Sequence, residues 1–184
     1  MNKMKFFGLT LLLISLFACG QTTNKNSQNV NQNGWKVLDQ KEYTIQYPDN
    51  WELNTSGQMG TTFMLLSTKS SEQDQFRENV NLIIQDVSGQ NINLDKYVEI
   101  SEGQIKTMIT DGNIIESKRL NFNRFNFHKE IYTGKQGIFN LKIEQYYWVE
   151  RQKAYILTLT CEVNEFDKYK EPGEKILNSF KLKL

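Results

Sequence analysis

Between Asn113 and Val163 four strand-like runs follow one another with connections too short for anything but antiparallel pairing, and this constrains the fold more than any other feature. The runs are Asn113 to Phe122, Phe125 to Thr133, Ile138 to Glu150 and Ala154 to Val163. Only Asn123-Arg124, Gly134-Lys-Gln-Gly137 and Arg151-Gln-Lys153 separate them. In the third run Phe139, Leu141 and Ile143 alternate, but Tyr146, Tyr147, Trp148 and Val149 are apolar in succession. That succession predicts either a bulge or cover on both faces of the sheet.

Earlier segments supply partners for the meander. Trp35 with Val37, and Tyr43 with Ile45 and Tyr47, recur at the strand period, and Pro48-Asp49 suits a tight turn that brings Trp51 back onto the sheet. Thr61 to Ser67 and Val80 to Val87 read as two more strands across the polar loop Thr68 to Asn79. The second carries Val80, Leu82 and Ile84 on one face and Ile83 and Val87 on the other, so it too requires cover on both sides.

Two helices can provide that cover. Asn93 is placed to cap the first, Ile92 to staple onto Tyr97, and Asp95 and Glu99 to sit near its positive end. Leu94, Tyr97, Val98, Ser101, Ile105, Met108 and Ile109 follow helical spacing, with Gly112 expected to stop the run in a left-handed turn. Gly103 lies inside it with no evident purpose. The last segment, Glu165 to Phe180, carries Phe166, Tyr169, Ile176, Leu177 and Phe180 on a helical pattern expected to break near Pro172-Gly173.

The start of the chain concerns location. Lys3 and Lys5 precede an apolar run, Phe6 to Phe17, too short and too polar in its sequel to span a bilayer, and Leu16-Phe17-Ala18-Cys19 closes it. This ending resembles the lipobox of bacterial lipoproteins. The resemblance implies a signal peptide over residues 1–18, cleavage after Ala18, and lipid on Cys19. Two or three acyl chains would hold the protein on a membrane where one would exchange. Gly20 to Asn33 is nearly all Gln, Asn, Thr and Ser, so residues 19–34 read as a disordered tether spanning about 20 Å. Some lipoproteins of the Bacteroidota carry an acidic export signal after the lipidated cysteine. The absence of Asp and Glu from this tether then implies a periplasmic position.

Removing 18 leader residues from 184 leaves 166, a length for one core. Lys3 and Lys5 go with the leader, so 22 basic residues become 20 against 21 acidic ones, a formal balance of −1. Such near-neutrality argues against nucleic acid as a partner. With Cys19 lipidated, Cys161 has no partner for a disulfide within the chain and reads as a buried, inert thiol.

The run Tyr43-Thr-Ile-Gln-Tyr-Pro-Asp-Asn-Trp resembles the opening of PsbP-like and DcrB-like domains, and Ile176-Leu-Asn-Ser-Phe resembles their close. With hairpin, strand pair, helix, meander and final helix in that order, the resemblance covers residues 35–184. It implies an α+β fold, a PsbP-like α/β/α sandwich whose central, mostly antiparallel sheet is covered by helices. The family includes a photosystem II subunit and envelope lipoproteins.

Residues able to do chemistry are sparse. His128 is the one histidine, and alternation places it with Asn126 and Glu130 on a face expected to be solvated. One histidine and one free thiol do not make a zinc site, and no calcium loop, phosphate loop or Gly-x-Ser-x-Gly elbow occurs. Glu144 and Glu150 are a conceivable glycosidase pair among 21 acids. The aromatics Trp35, Phe122, Phe125, Phe127, Tyr146, Tyr147 and Trp148 could line a cleft, although most are expected in the core. The expectation is therefore a non-catalytic, membrane-anchored envelope lipoprotein without cofactor or metal, serving as a protein-binding scaffold for an envelope or membrane protein. A carrier of a small apolar or aromatic ligand is the alternative.

Overall fold

The meander forms as its short connections require. In the computed structural model, which describes residues 34–122 and 125–183, the strands are β1 (Trp35–Asp39), β2 (Tyr43–Pro48), β3 (Glu52–Asn54), β4 (Phe63–Leu66), β5 (Asn79–Asp86), β6 (Thr110–Phe122), β7 (Phe125–Gln136), β8 (Phe139–Glu150), β9 (Lys153–Glu162) and β10 (Lys181–Leu182). The helices are α1 (Leu94–Met108) and α2 (Phe166–Ser179). Seven strands make one antiparallel sheet in the order β3-β4-β5-β9-β8-β7-β6, and β1-β2-β10 make a smaller antiparallel one. This is the expected α+β sandwich, with one refinement. Helix α1 covers one face of the large sheet, whereas α2 and the three-stranded sheet together cover the other.

Cover on both faces, rather than a bulge, explains the apolar succession in β8. Its register with β7 and β9 is unbroken. Tyr146 and Trp148 pack on the α2 side with Tyr43, Ile45, Leu157 and Phe180, while Tyr147 packs on the α1 side with Leu94, Val98 and Ile156.

Three local expectations change. Helix α2 runs unbroken through Pro172, and Gly173 marks a close approach to the sheet rather than a break: a Cβ there would lie 2.5 Å from a Leu159 methyl. At the end of α1 the left-handed residue is Asp111, not Gly112, and Gly112 is needed because a Cβ would sit 2.2 Å from the Ile105 carbonyl oxygen. His128 is 7% exposed, not solvated, because α1 lies over its face. The cap of α1 is as expected, with Asn93 Oδ1 accepting from the Lys96 amide at 2.9 Å.

Candidate functional site

Buried polar residues are the first place to look for chemistry. Directly opposed across five strands stand Asn81 on β5, Thr158 on β9, Gln145 on β8, Glu130 on β7 and Ser117 on β6, forming a polar row beneath α1. Glu130 is fully buried and Asn81, Gln145 and Thr158 nearly so. The row divides the α1-side core into an apolar cluster around Leu94 and Val98 and another around Ile105 and Tyr132. Ser101 reaches down from α1 between them, its hydroxyl 2.8 Å from the Tyr147 hydroxyl. Tyr147 also contacts Glu130 Oε2 at 2.7 Å and Gln145 Oε1, and Gln145 Nε2 donates to Thr158 at 2.9 Å.

At the sheet edge Ser117 and His128 are not arranged as a nucleophile and its base. Ser117 Oγ donates to Glu102 at 2.6 Å and lies 2.8 Å from His128 Nε2. With its hydrogen given to Glu102, the serine accepts from the histidine. A nucleophilic serine needs the reverse, with histidine taking its proton and a carboxylate holding the other ring nitrogen. Here His128 Nδ1 is buried with no hydrogen-bond partner among the described residues. Burial and Arg119 lower the His128 pKa, so the ring is held neutral.

The other suggested catalytic groups are no better placed. Glu144 and Glu150 are six residues apart on one strand, about 20 Å, where a glycosidase pair needs roughly 5 to 10 Å. Glu144 instead meets Lys129 Nζ at 2.8 Å, with Glu174 3.4 Å from the same amine. Cys161 is fully buried, and burial, with Glu78, Glu144 and Glu165 nearby, raises its thiol pKa far above the reactive range. Among the described residues no group of His, Cys, Asp and Glu has an arrangement that could hold a metal ion.

An apolar concave site lies on the opposite face from the polar row. Strands β6, β7 and β8 are 13, 12 and 12 residues long, whereas β10, which covers their far end beside the last turn of α2, has two. The sheet outruns its cover, leaving a groove of about 730 Å³. Phe125, Phe127, Tyr146 and Trp148 form one wall, and Leu177, Phe180 and Leu182 the other. The aromatic wall is interlocked: Phe127 lies 5.0 Å from Tyr146 and 5.3 Å from Trp148, and Trp148 lies 5.1 Å from Phe180. Such rings are held rigid by one another. At the rim are Asn121, Asn178 and Lys181.

Of the aromatics singled out in the sequence, four thus meet at this groove. Tyr147 belongs to the polar row, Trp35 packs at the edge of the α2-side core, and the Phe122 side chain lies outside the described residues. Sequence reasoning missed Leu177 and Phe180 as lining residues, since they read only as part of the last helical pattern, and it gave Leu182 no structural place. Cys19, the leader and the tether lie outside the described residues, and no described helix is long and apolar enough to cross a membrane.

No protein-family model matches the sequence, and no curated protein does. Solved structures do resemble it. Cyanobacterial PsbP (CyanoP) from Synechocystis sp. PCC 6803 superposes with a TM-score of 0.61 at 14% identity, over 91% of this chain and 98% of that one. LpqN, involved in cell envelope biogenesis of Mycobacterium tuberculosis, gives 0.59 at 10% identity over 85% and 92%. PA94 of Pseudomonas aeruginosa, a protein of unknown function, gives 0.54 at 13% identity over 79% and 94%. The fold is therefore PsbP-like, as the two sequence motifs and the element order implied, and none of the three neighbours is named as an enzyme.

Proposed function

We propose that this is a non-catalytic accessory protein of the bacterial cell envelope, held on a membrane by lipid on Cys19, which carries a small apolar ligand in the groove beside Trp148. The observation that carries the reading is the groove itself: about 730 Å³, apolar and aromatic in its walls, with three polar side chains at its rim. Ligand sites of this volume and lining are the usual concave sites of small molecules. The neighbouring LpqN, named for envelope biogenesis, fits an envelope setting. The groove supports the carrier reading, which the sequence had as the alternative to a scaffold. Mass spectrometry of organic extracts from the protein purified from its own membrane tests it. A defined apolar compound should co-purify with the native protein and be lost from Leu120→Trp, whose ring fills the groove. Equal recovery from both forms contradicts the assignment.

The second reading is a scaffold for an envelope or membrane protein, with exposed Met108 and Ile138 as candidate contacts. Crosslinking in intact cells should then capture one defined membrane protein, and recovery of the monomer alone counts against it. The anchor is tested separately: labelled palmitate should enter the native protein and not Cys19→Ala, which should leave the membrane fraction. Unchanged fractionation of that variant would remove the anchor and the periplasmic location argued from it.

A further inference from the structure

We propose that the groove binds one long-chain fatty acid, tail along the Phe127–Trp148 wall and carboxylate at Lys181. This rests on the ligand-carrying reading and names its ligand.

Shape selects a thin occupant. Leu177, Tyr146 and Phe180, on facing walls, are 1%, 4% and 5% exposed. A protein partner binds by covering about 800 Å² of exposed surface on each side, and a helix is roughly 10 Å across. Side chains this recessed offer neither contact. A single alkyl chain needs no such area: one methylene wide, it lies along the partly buried Leu120 and Phe125.

The rim selects the head group. Lys181 is exposed, fixed in backbone position by the pairing of β10 with Thr44 on β2, and makes no ion pair among the described residues. Another amine near the groove, Lys129, is already committed between Glu144 and Glu174 behind Tyr146. Lys118 is likewise held by Glu116, at 2.8 Å, so these amines at the Tyr146 end are committed and a negative head is favoured at Lys181. The Asn121 and Asn178 amides at the rim can donate hydrogen bonds to a carboxylate. An uncharged alcohol of the same length can accept a hydrogen bond from the ammonium but lacks the charge attraction.

The test uses the full chain in its membrane, labelled with a photoreactive oleate analogue and, separately, with the matching oleyl alcohol analogue. Peptide mapping should place the oleate label on segments containing Leu120, Trp148, Leu177 or Leu182. Lys181→Gln should lower that labelling by roughly fivefold, the scale of one solvent-exposed ion pair, and leave the alcohol unchanged. If acid and alcohol label the groove equally and Lys181→Gln alters neither, the fatty-acid assignment is overturned while the groove remains a ligand site. If neither probe labels the groove, the ligand-carrying reading falls with it.

Discussion

The Tyr147 hydroxyl lies 2.7 Å from Glu130 Oε2 and also against Gln145 Oε1, so one hydrogen faces two acceptors in a fully buried site. The conflict is resolved if Glu130 is protonated and donates to Tyr147, which then donates to Gln145. Burial pushes the Glu130 carboxyl up to about 7, with Glu102 adding to the rise and Lys106, Tyr147 and Ser101 opposing it.

A carboxyl whose folded pKa exceeds its unfolded value binds more protons when folded, so its contribution to stability falls as pH rises between those values. For Glu130 the window runs from 4.5 to about 7. The full penalty above it is on the order of 3 kcal/mol. His128, lowered by burial, acts in the opposite sense and loses stability as pH falls below about 6.5. Glu130→Gln keeps a donor for Tyr147 and removes the charge. Urea titrations should find it more stable than the native protein at pH 8, with the difference vanishing near pH 5; equal stability at pH 8 contradicts the protonated assignment.

The ion pair on the other face gives a second prediction. Glu144 is fully buried and the Lys129 side chain only 11% exposed. Lys129→Met leaves a buried carboxyl without its partner and should cost about 3 to 5 kcal/mol. Adding Glu144→Leu should restore most of that loss. A double variant as unstable as the single one would show that the pair is not the source of the cost.

Legibility in the sequence divides along one physical line. Alternation reports which side chains share a face, so strand identity and the antiparallel order were readable, while Tyr146-Tyr147-Trp148 left a bulge and a double cover both open. It does not report whether a polar face meets water or a helix. Glu130, Gln145 and Thr158 alternate like a solvated edge, and His128 was placed in solvent for that reason, although α1 covers them. The groove was unreadable because it arises from a mismatch between the length of β6 to β8 and the short cover of β10, a tertiary quantity.

Two helical glycines should respond oppositely to alanine. Nothing lies within 4 Å of a Cβ at Gly103, which is exposed within α1. Gly103→Ala should therefore stabilise by up to about 1 kcal/mol. Gly173→Ala drives a methyl into Leu159 and should destabilise by about 1 to 3 kcal/mol. Denaturation midpoints that move in the same direction would refute the packing of α2 on β9.

The hairpin between β8 and β9 turns on Arg151 and Gln152, with φ of 47° and 61°. Both values suit Asn-Gly better than long side chains. Replacing Arg151-Gln152 by Asn-Gly should raise stability by about 1 kcal/mol or more in thermal unfolding, since left-handed φ costs roughly 1 to 2 kcal/mol per ordinary residue. No change would mean that the turn is not strained.

What fills the groove along Phe127 and Trp148 decides whether the protein carries a ligand. A crystal structure of the protein extracted from its own membrane measures this most directly. The prediction is continuous non-protein density along Phe127 and Trp148, ending near Lys181. A groove holding only solvent along Phe127 and Trp148 would contradict it.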